Sequence, residues 1–164
     1  MSTQAAEGSI KVGDLAPDFA LLTSVDGAER LKDFRGRKSI VLYFYPKDET
    51  PGCTAEACAF RDSYEDFKDA GAEVIGVSSD SEESHQQFAS HHRLPFVLIS
   101  DPDSALRKLY GVPSEDTPQY GLIPGRVTYV IDKQGIVRLV FSSVFLPQQH
   151  ITEALTIVKA SSNQ

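Results

Sequence analysis

No stretch of the chain approaches the ~20 consecutive apolar residues of a membrane-spanning helix, so no membrane span is expected among its 164 residues. Basic clusters are equally scarce. Lys and Arg never gather beyond Arg35-Gly-Arg-Lys38, and the net charge of −7 is spread along the sequence. Without a positive footprint, neither nucleic acid nor an anionic membrane surface is an expected partner. The opening residues, Met1-Ser-Thr-Gln-Ala-Ala-Glu-Gly8, hold neither the basic region nor the apolar core of a secretory signal. Cysteine is rare too: two in a chain of this length do not make a secreted disulfide framework. A bridge closing so short a loop would add little stability, so a redox role in a reducing compartment fits the thiols better. There is no internal repeat and no linker, and the length suits one domain whose core needs no staples. That domain is expected over residues 10–160, with residues 1–9, small, polar and aperiodic, disordered.

The stretch around which the chain is organised runs from Tyr43 to Cys58. Ser39-Ile-Val-Leu-Tyr-Phe-Tyr45 is apolar on consecutive positions, the pattern of a central strand covered on both faces, and it stops at Pro46. After a polar loop, Thr50-Pro-Gly-Cys53 opens a helix, with Thr50 as N-cap and Pro51 at the first helical position. Cys53 then lies in the first turn. Unpaired backbone N–H groups and the helix dipole favour an anion there, so its pKa is expected below the ordinary value of about 8.5. Cys58, five residues on, is separated from it by roughly 140° of rotation and about 7.5 Å of rise on an ideal helix. The pair can bridge only if this turn unwinds.

The remaining elements alternate. Asp18–Thr23 and Glu29–Phe34 flank a turn on Asp26-Gly27, an N-terminal hairpin. The helix behind Cys53 is expected to reach about Ala70, with Ala57, Phe60, Tyr64 and Phe67 as its buried stripe and Cys53 on the same stripe. Glu73–Ser78 reads as strand, and Asp80 with Glu83 as the capping box of a helix to about His92. Phe96–Ser100 returns as strand and Ser104–Tyr110 as a short helix, while 112–124, broken by Pro113, Pro118, Gly121 and Pro124, reads as loop. Val127–Ile131 and Ile136–Phe141 form a hairpin, and His150–Lys159 a last helix. Strands joined by helices, then an antiparallel hairpin, indicate an α/β fold.

Pro46-x-x-x-Thr50-x-x-Cys53, together with Pro124-Gly-Arg126 ahead of a strand, resembles the active-site signature of the peroxiredoxins. Cys58, five residues after the reactive cysteine, is similar to the peroxiredoxin Q subgroup, also called bacterioferritin comigratory protein. The resemblance runs from Gly13-Asp-Leu-Ala-Pro-Asp-Phe19 to the last helix. It implies a thioredoxin-like fold with an N-terminal β-hairpin extension and a central mixed sheet flanked by helices. The implied activity is reduction of hydrogen peroxide and organic hydroperoxides through a Cys53 sulfenic acid. Cys58 would resolve it as an intramolecular disulfide, recycled by thioredoxin or a similar dithiol protein. Arg126 would stabilise the developing oxyanion and Pro46 would shape the pocket. Thr50 would cap the helix or bond thiolate and peroxide, and the resemblance favours the second. No metal or organic cofactor is implied. Family members that resolve across a dimer carry a cysteine in a C-terminal extension, whereas this sequence ends after one helix; resolution within one chain and a monomer are therefore expected. Similarity to cyanobacterial and plastid members implies a bacterial cytoplasm or, for a mature protein without transit peptide, a plastid.

Two other activities use the same thiols. A protein disulfide oxidoreductase of this fold normally carries Cys-x-x-Cys, and the longer spacing argues against it. A non-enzymatic copper carrier could hold the soft metal with two thiols and a histidine, but it would leave the Pro46-to-Cys53 motif without a role. His85 and His92 fall on one helix face with Phe88 and Ala89, but no cysteine or carboxylate completes a metal site by spacing, so these histidines and His91 are read as packing or solvated. Asp101-Pro-Asp103 reads as a turn and helix start.

Overall fold

The computed structural model describes residues 10–119 and 121–161. The disorder expected for residues 1–9 falls outside them. β1 (Ala20–Val25) and β2 (Ala28–Arg30) pair antiparallel around Asp26 and Gly27, at φ 53° and 84°. Two successive left-handed residues match the strand twist, which is why Asp-Gly closes this hairpin. The segment read as its second arm leaves the sheet after Arg30 and winds into a 3-10 turn, Leu31–Phe34, that buries Leu31 and Phe34.

The sheet at the centre has five strands in the order β5-β4-β3-β8-β9. β3 (Ser39–Phe44) is third, parallel to β4 (Ala72–Ser78) and antiparallel to β8 (Val127–Ile131). β5 (Val97–Ser100) extends the parallel side and β9 (Val137–Ser142) the antiparallel side. All six β3 residues are buried, and the pleat sends them alternately to two cores. Ile40, Leu42 and Phe44 join Phe19, Leu21 and Phe34 on one face, while Val41, Tyr43 and Tyr45 meet Cys53, Phe60 and Phe67 on the other. A strand covered twice has no polar face, which accounts for its unbroken apolar run.

The helices are α1 (Pro51–Asp62), α2 (Tyr64–Asp69), α3 (Glu82–His92), α4 (Ala105–Tyr110) and α5 (Pro147–Ser161). The single helix expected from Thr50 to Ala70 is broken at Ser63, which sits at φ −102° and ψ 5°. Asp62-Ser63 are weak helix formers, yet Ala57, Phe60 and Phe67 remain buried across the break. α3 is capped by Ser81, whose Oγ accepts from Ser84 N–H at 3.1 Å, and not by Asp80. Asp80 instead accepts from the Asp48 N–H at 2.8 Å and the Ser78 hydroxyl at 2.6 Å.

Within the segment read as loop, β6 (Ser114–Thr117) pairs with β7 (Gly121–Pro124). Ser-Glu-Asp-Thr has no apolar alternation to reveal a strand. The hairpin delivers Gly125, whose N–H donates to Pro113 O at 2.9 Å. A β-carbon there would stand 2.4 Å from that oxygen, so only glycine allows the approach that sets Arg126 in place. No helix among the described residues is long and apolar enough to cross a membrane.

Candidate active site

The β3–α1 turn, the first turn of α1 and the β7–β8 junction enclose a cleft of about 610 Å³, lined among others by Pro46, Thr50, Cys53, Arg126 and Phe145. Four of the five residues singled out in the sequence are thus brought together. Cys58 is the exception. It lies further along α1, half-buried and reduced, and the helix is unbroken between the two thiols.

Cys53 Sγ receives two donors at 3.5 Å, the Lys47 N–H and Nη1 of Arg126. The side chain is 1% exposed. Burial pushes the thiol up, against Arg126, the Thr50 hydroxyl and the Lys47 N–H, which act to lower its pKa. This corrects the expectation of a depressed pKa: withdrawal from water, invisible in the helix pattern, outweighs the donors. Thr50 occupies the N-cap, but its hydroxyl makes no cap bond and donates to Lys47 O at 2.7 Å. Capping is therefore not its job here.

Arg126 is held from three sides. Nε donates to Val144 O at 3.1 Å, Nη1 donates to Glu56 Oε1 at 2.7 Å, and Nη2 lies over Gly52. Burial disfavours its charge, but Glu56 and Cys53 outweigh burial and keep the guanidinium firmly protonated.

Glu56 is the main functional candidate that sequence reasoning missed. It sits three residues after Cys53 on the inward stripe of α1, fully buried, and burial raises its carboxyl to about 7 against the pull of Arg126. Its Oε2 and the Tyr43 hydroxyl are buried without a hydrogen-bond partner among the described residues. His150 Nδ1 is 3.6 Å from that oxygen, but burial lowers His150 to about 4 and keeps it neutral. Its Nε2–H donates to Ser143 O at 2.8 Å, leaving Nδ1 to accept from the Thr128 hydroxyl at 2.8 Å. A carboxylate at i+3 from a first-turn cysteine was the available signal. Arg107, also missed, is buried and donates to Tyr45 O and Gly125 O at 3.0 Å each. It ties the residue before Pro46 to the residue before Arg126.

The histidines separate. His85 Nδ1 bonds Asp48 Oδ2 at 2.7 Å and Nε2 bonds Ile99 O at 3.1 Å, a satisfied buried pair. Burial would raise Asp48, but bonds from His85, Tyr45 and Ser84 hold its carboxyl below the usual range. Among the described residues, neither cysteine joins a cluster of three or more metal-ligating groups. Asp101 accepts from the Leu106 and Arg107 N–H groups at the start of α4, the helix-start role expected of it.

The arrangement suits attack by a buried sulfur on a small electrophile whose leaving atom gains negative charge beside Arg126. Residues 12–140 match the model of the AhpC/TSA family. The chain is 51% identical over 148 residues to the chloroplastic peroxiredoxin Q of Sedum lineare, covering 90% of this chain and 77% of that protein. It is likewise 51% identical over 152 residues to that of Arabidopsis thaliana, covering 93% and 68%. Among solved structures, the peroxidoxin BcpB of Mycobacterium tuberculosis superposes with a TM-score of 0.79 at 34% identity, covering 92% of this chain and 97% of that one. Peroxiredoxin Q of Xanthomonas campestris does so with a TM-score of 0.72 at 31% identity, covering 85% and 89%. The chain belongs to the AhpC/TSA family and, within it, to the peroxiredoxin Q group of thiol-dependent peroxidases.

Proposed function

We propose that Cys53 is the peroxidatic nucleophile of a hydroperoxide reductase acting within one domain spanning residues 10–160, with Cys58 as its resolving partner. The observation that carries the reading is the 3.5 Å approach of Arg126 Nη1 to Cys53 Sγ in the cleft. The sulfur attacks the terminal oxygen of ROOH, the O–O bond breaks, and the electron pair leaves on RO⁻. Arg126 faces that developing charge. RO⁻ takes up the proton given up by the thiol, so the products are Cys53–SOH and ROH, or water when the substrate is hydrogen peroxide. The attacking species is the thiolate, which Arg126, the Thr50 hydroxyl and the Lys47 N–H favour against the cost of burial. The Thr50 hydroxyl and the Lys47 N–H line the same space and orient the substrate, while Pro46 walls it from water.

Cys58–SH then condenses with the sulfenic acid, releasing water and forming the Cys53–Cys58 disulfide. Along an intact helix the two Cα atoms stand too far apart for a bridge, so the first turn of α1 unwinds first. Thioredoxin or a similar dithiol protein, itself oxidised in exchange, restores both thiols. Both cysteines lie on one helix, so resolution needs no second chain and a monomer suffices for the cycle. The two curated relatives named above are chloroplastic and the two named structural neighbours are from bacteria; a plastid or a bacterial cytoplasm is the compartment that supplies such a dithiol.

Peroxide consumption coupled to thioredoxin, its reductase and NADPH tests this. Cys53→Ser abolishes turnover, and Cys58→Ser keeps the first oxidation but loses recycling. Full activity in Cys53→Ser would overturn the assignment.

A further inference from the structure

The turn before Cys53 presents a cluster that the peroxidase chemistry does not use. Glu49 Oε2 lies 3.1 Å from His91 Nδ1, and Glu49 Oε1 lies 3.0 Å from His92 Nε2. All three ligand-type atoms lie within 4.8 Å of one another. The two imidazoles are tilted face to face, with centroids 4.2 Å apart, at the last turn of α3. Glu49 reaches them from a left-handed backbone, φ 64°, which a glutamate adopts only when its surroundings impose it. The sequence supplied the histidines without a carboxylate; the fold supplies the carboxylate from the β3–α1 turn.

A single carboxylate faces both imidazoles, whose hydrogen bonds hold it below the usual carboxylate range; with Glu49 and His91 both exposed, such contacts add little stability by themselves. Two nitrogens and an oxygen at 2.0–2.2 Å from a zinc-like ion would stand about 3.4 Å apart; Glu49 Oε1 lies 3.3 Å from His91 Nδ1 and 3.0 Å from His92 Nε2, so these two oxygen–nitrogen spacings fall within a few tenths of an ångström of that geometry. By contrast, the neighbouring trio, Asp48, Asp80 and His85, is tied to groups outside itself, the Tyr45, Ser78 and Ser84 hydroxyls and Ile99 O.

We propose that Glu49, His91 and His92 form a surface site for one divalent ion of the zinc class, completed by water, which clamps the β3–α1 turn onto α3. Neutral imidazole and carboxylate together favour such borderline ions over calcium or magnesium. Its consequence rests on the reading that α1 must unwind at its first turn to form the disulfide. Glu49 immediately precedes Thr50, the N-cap of that turn, and Arg61 of α1 also donates to His92 O at 2.8 Å. An ion bound only by the wound conformer multiplies that conformer's weight by 1 + [M]/Kd, about 100-fold at 100 times Kd. Zinc therefore slows resolution and leaves the sulfenic acid exposed to further peroxide.

The site is tested in a Cys53→Ser/Cys58→Ser protein, which removes thiol ligands. Calorimetric titration with zinc at pH 7.5 should show one equivalent bound, at least ~10-fold weaker after Glu49→Gln, His91→Ala or His92→Ala, and weaker at pH 5.5, where protons compete for the imidazoles. His91 is exposed, so His91→Ala keeps the fold even if His92→Ala does not. No binding in the double-serine protein, or binding unchanged by His91→Ala, overturns the site. The clamp is tested in the protein with both cysteines, by quenching after one equivalent of peroxide with and without zinc. Slower disulfide formation in wild type and not in His91→Ala supports it; equal slowing in both overturns it. Absence of any disulfide without zinc would refute the resolving role of Cys58 and leave the binding result standing.

Discussion

The guanidinium of Arg126 occupies the space in which a side chain at position 52 would stand: a β-carbon on Gly52 would lie 2.9 Å from Nη2. The glycine of Thr50-Pro-Gly-Cys53 is therefore what lets the arginine close over the first turn of α1 and reach the sulfur. Gly52→Ala should leave the helix intact, since alanine is the better helix former, and push Arg126 away from Cys53. A displacement of this kind costs on the order of 10²-fold in catalysis. The expected result is a large fall in kcat/KM for hydrogen peroxide with an unchanged far-ultraviolet circular dichroism spectrum. An unchanged kcat/KM would show that the contact is not used.

Arg126 makes its three engagements from one rigid fork, Nε to Val144 O and Nη1 to both Glu56 Oε1 and Cys53 Sγ. A lysine offers one ammonium point and cannot serve these directions at once. Arg126→Lys should lose ~10²–10³ in kcat/KM while keeping net charge. Single-turnover oxidation, followed by loss of free thiol, measures it without the recycling partner.

Glu56 predicts a pH dependence of stability. Its folded value of about 7 lies above the ordinary 4.5, so between these values the folded state binds more protons than the unfolded one. Stability from this group is fully present below pH 4.5, falls as pH rises, and levels above 7, a loss of about 3 kcal/mol. His150 works in the opposite sense: lowered to about 4 from 6.5, it adds stability as pH rises through that window. The two partly cancel below pH 6.5, which hides both in the wild type. Glu56→Gln removes one, so urea unfolding of variant and wild type from pH 5 to 8 should show the difference in stability shifting in favour of the variant. A constant offset across that range would mean that Glu56 does not titrate there.

Much of this frame is legible in the sequence because it is written in short-range patterns. The run from Ser39 to Tyr45 reads as a central strand since both faces are covered, and Asp26-Gly27 reads as a tight turn since both backbones are left-handed. Pro46, Thr50, Cys53 and Arg126 were found through their spacing and family signature, and the structure places them around one cleft. What escaped depends on long-range contact. Glu56 looks like any helical carboxylate until Arg126 folds onto it 70 positions away. β6 is too polar to read as a strand, and the depressed thiol inferred from the helix start ignored how completely Cys53 leaves water.

Cys58→Ser should convert a recyclable enzyme into one that is consumed. With no resolving thiol, the Cys53 sulfenic acid persists and a second peroxide carries it to sulfinic acid, which thioredoxin does not reduce. Intact-protein mass spectrometry over a peroxide titration should show two oxygens added to the variant at peroxide levels where the wild type shows only loss of two hydrogens. Equal overoxidation of both would mean that unwinding of α1 is too slow for Cys58 to protect.

The cleft rim predicts a split between substrates. Phe145 lines the cleft and is 60% exposed, and Ile123 lines it from β7. Hydrogen peroxide has no apolar part to set against them, whereas an aryl or alkyl hydroperoxide buries its organic group there. Because those contacts form in the bound ground state and persist through O–O cleavage at the other end of the molecule, they act on binding and not on the chemical step. Full burial of a phenyl or alkyl group contributes about 1.5–3 kcal/mol, and a half-exposed rim supplies part of it. Phe145→Ala should therefore raise KM for cumene hydroperoxide by roughly 3- to 10-fold with little change in kcat, while both constants for hydrogen peroxide stay put. Loss of activity toward both substrates would instead assign Phe145 to supporting Val144, whose carbonyl holds Arg126.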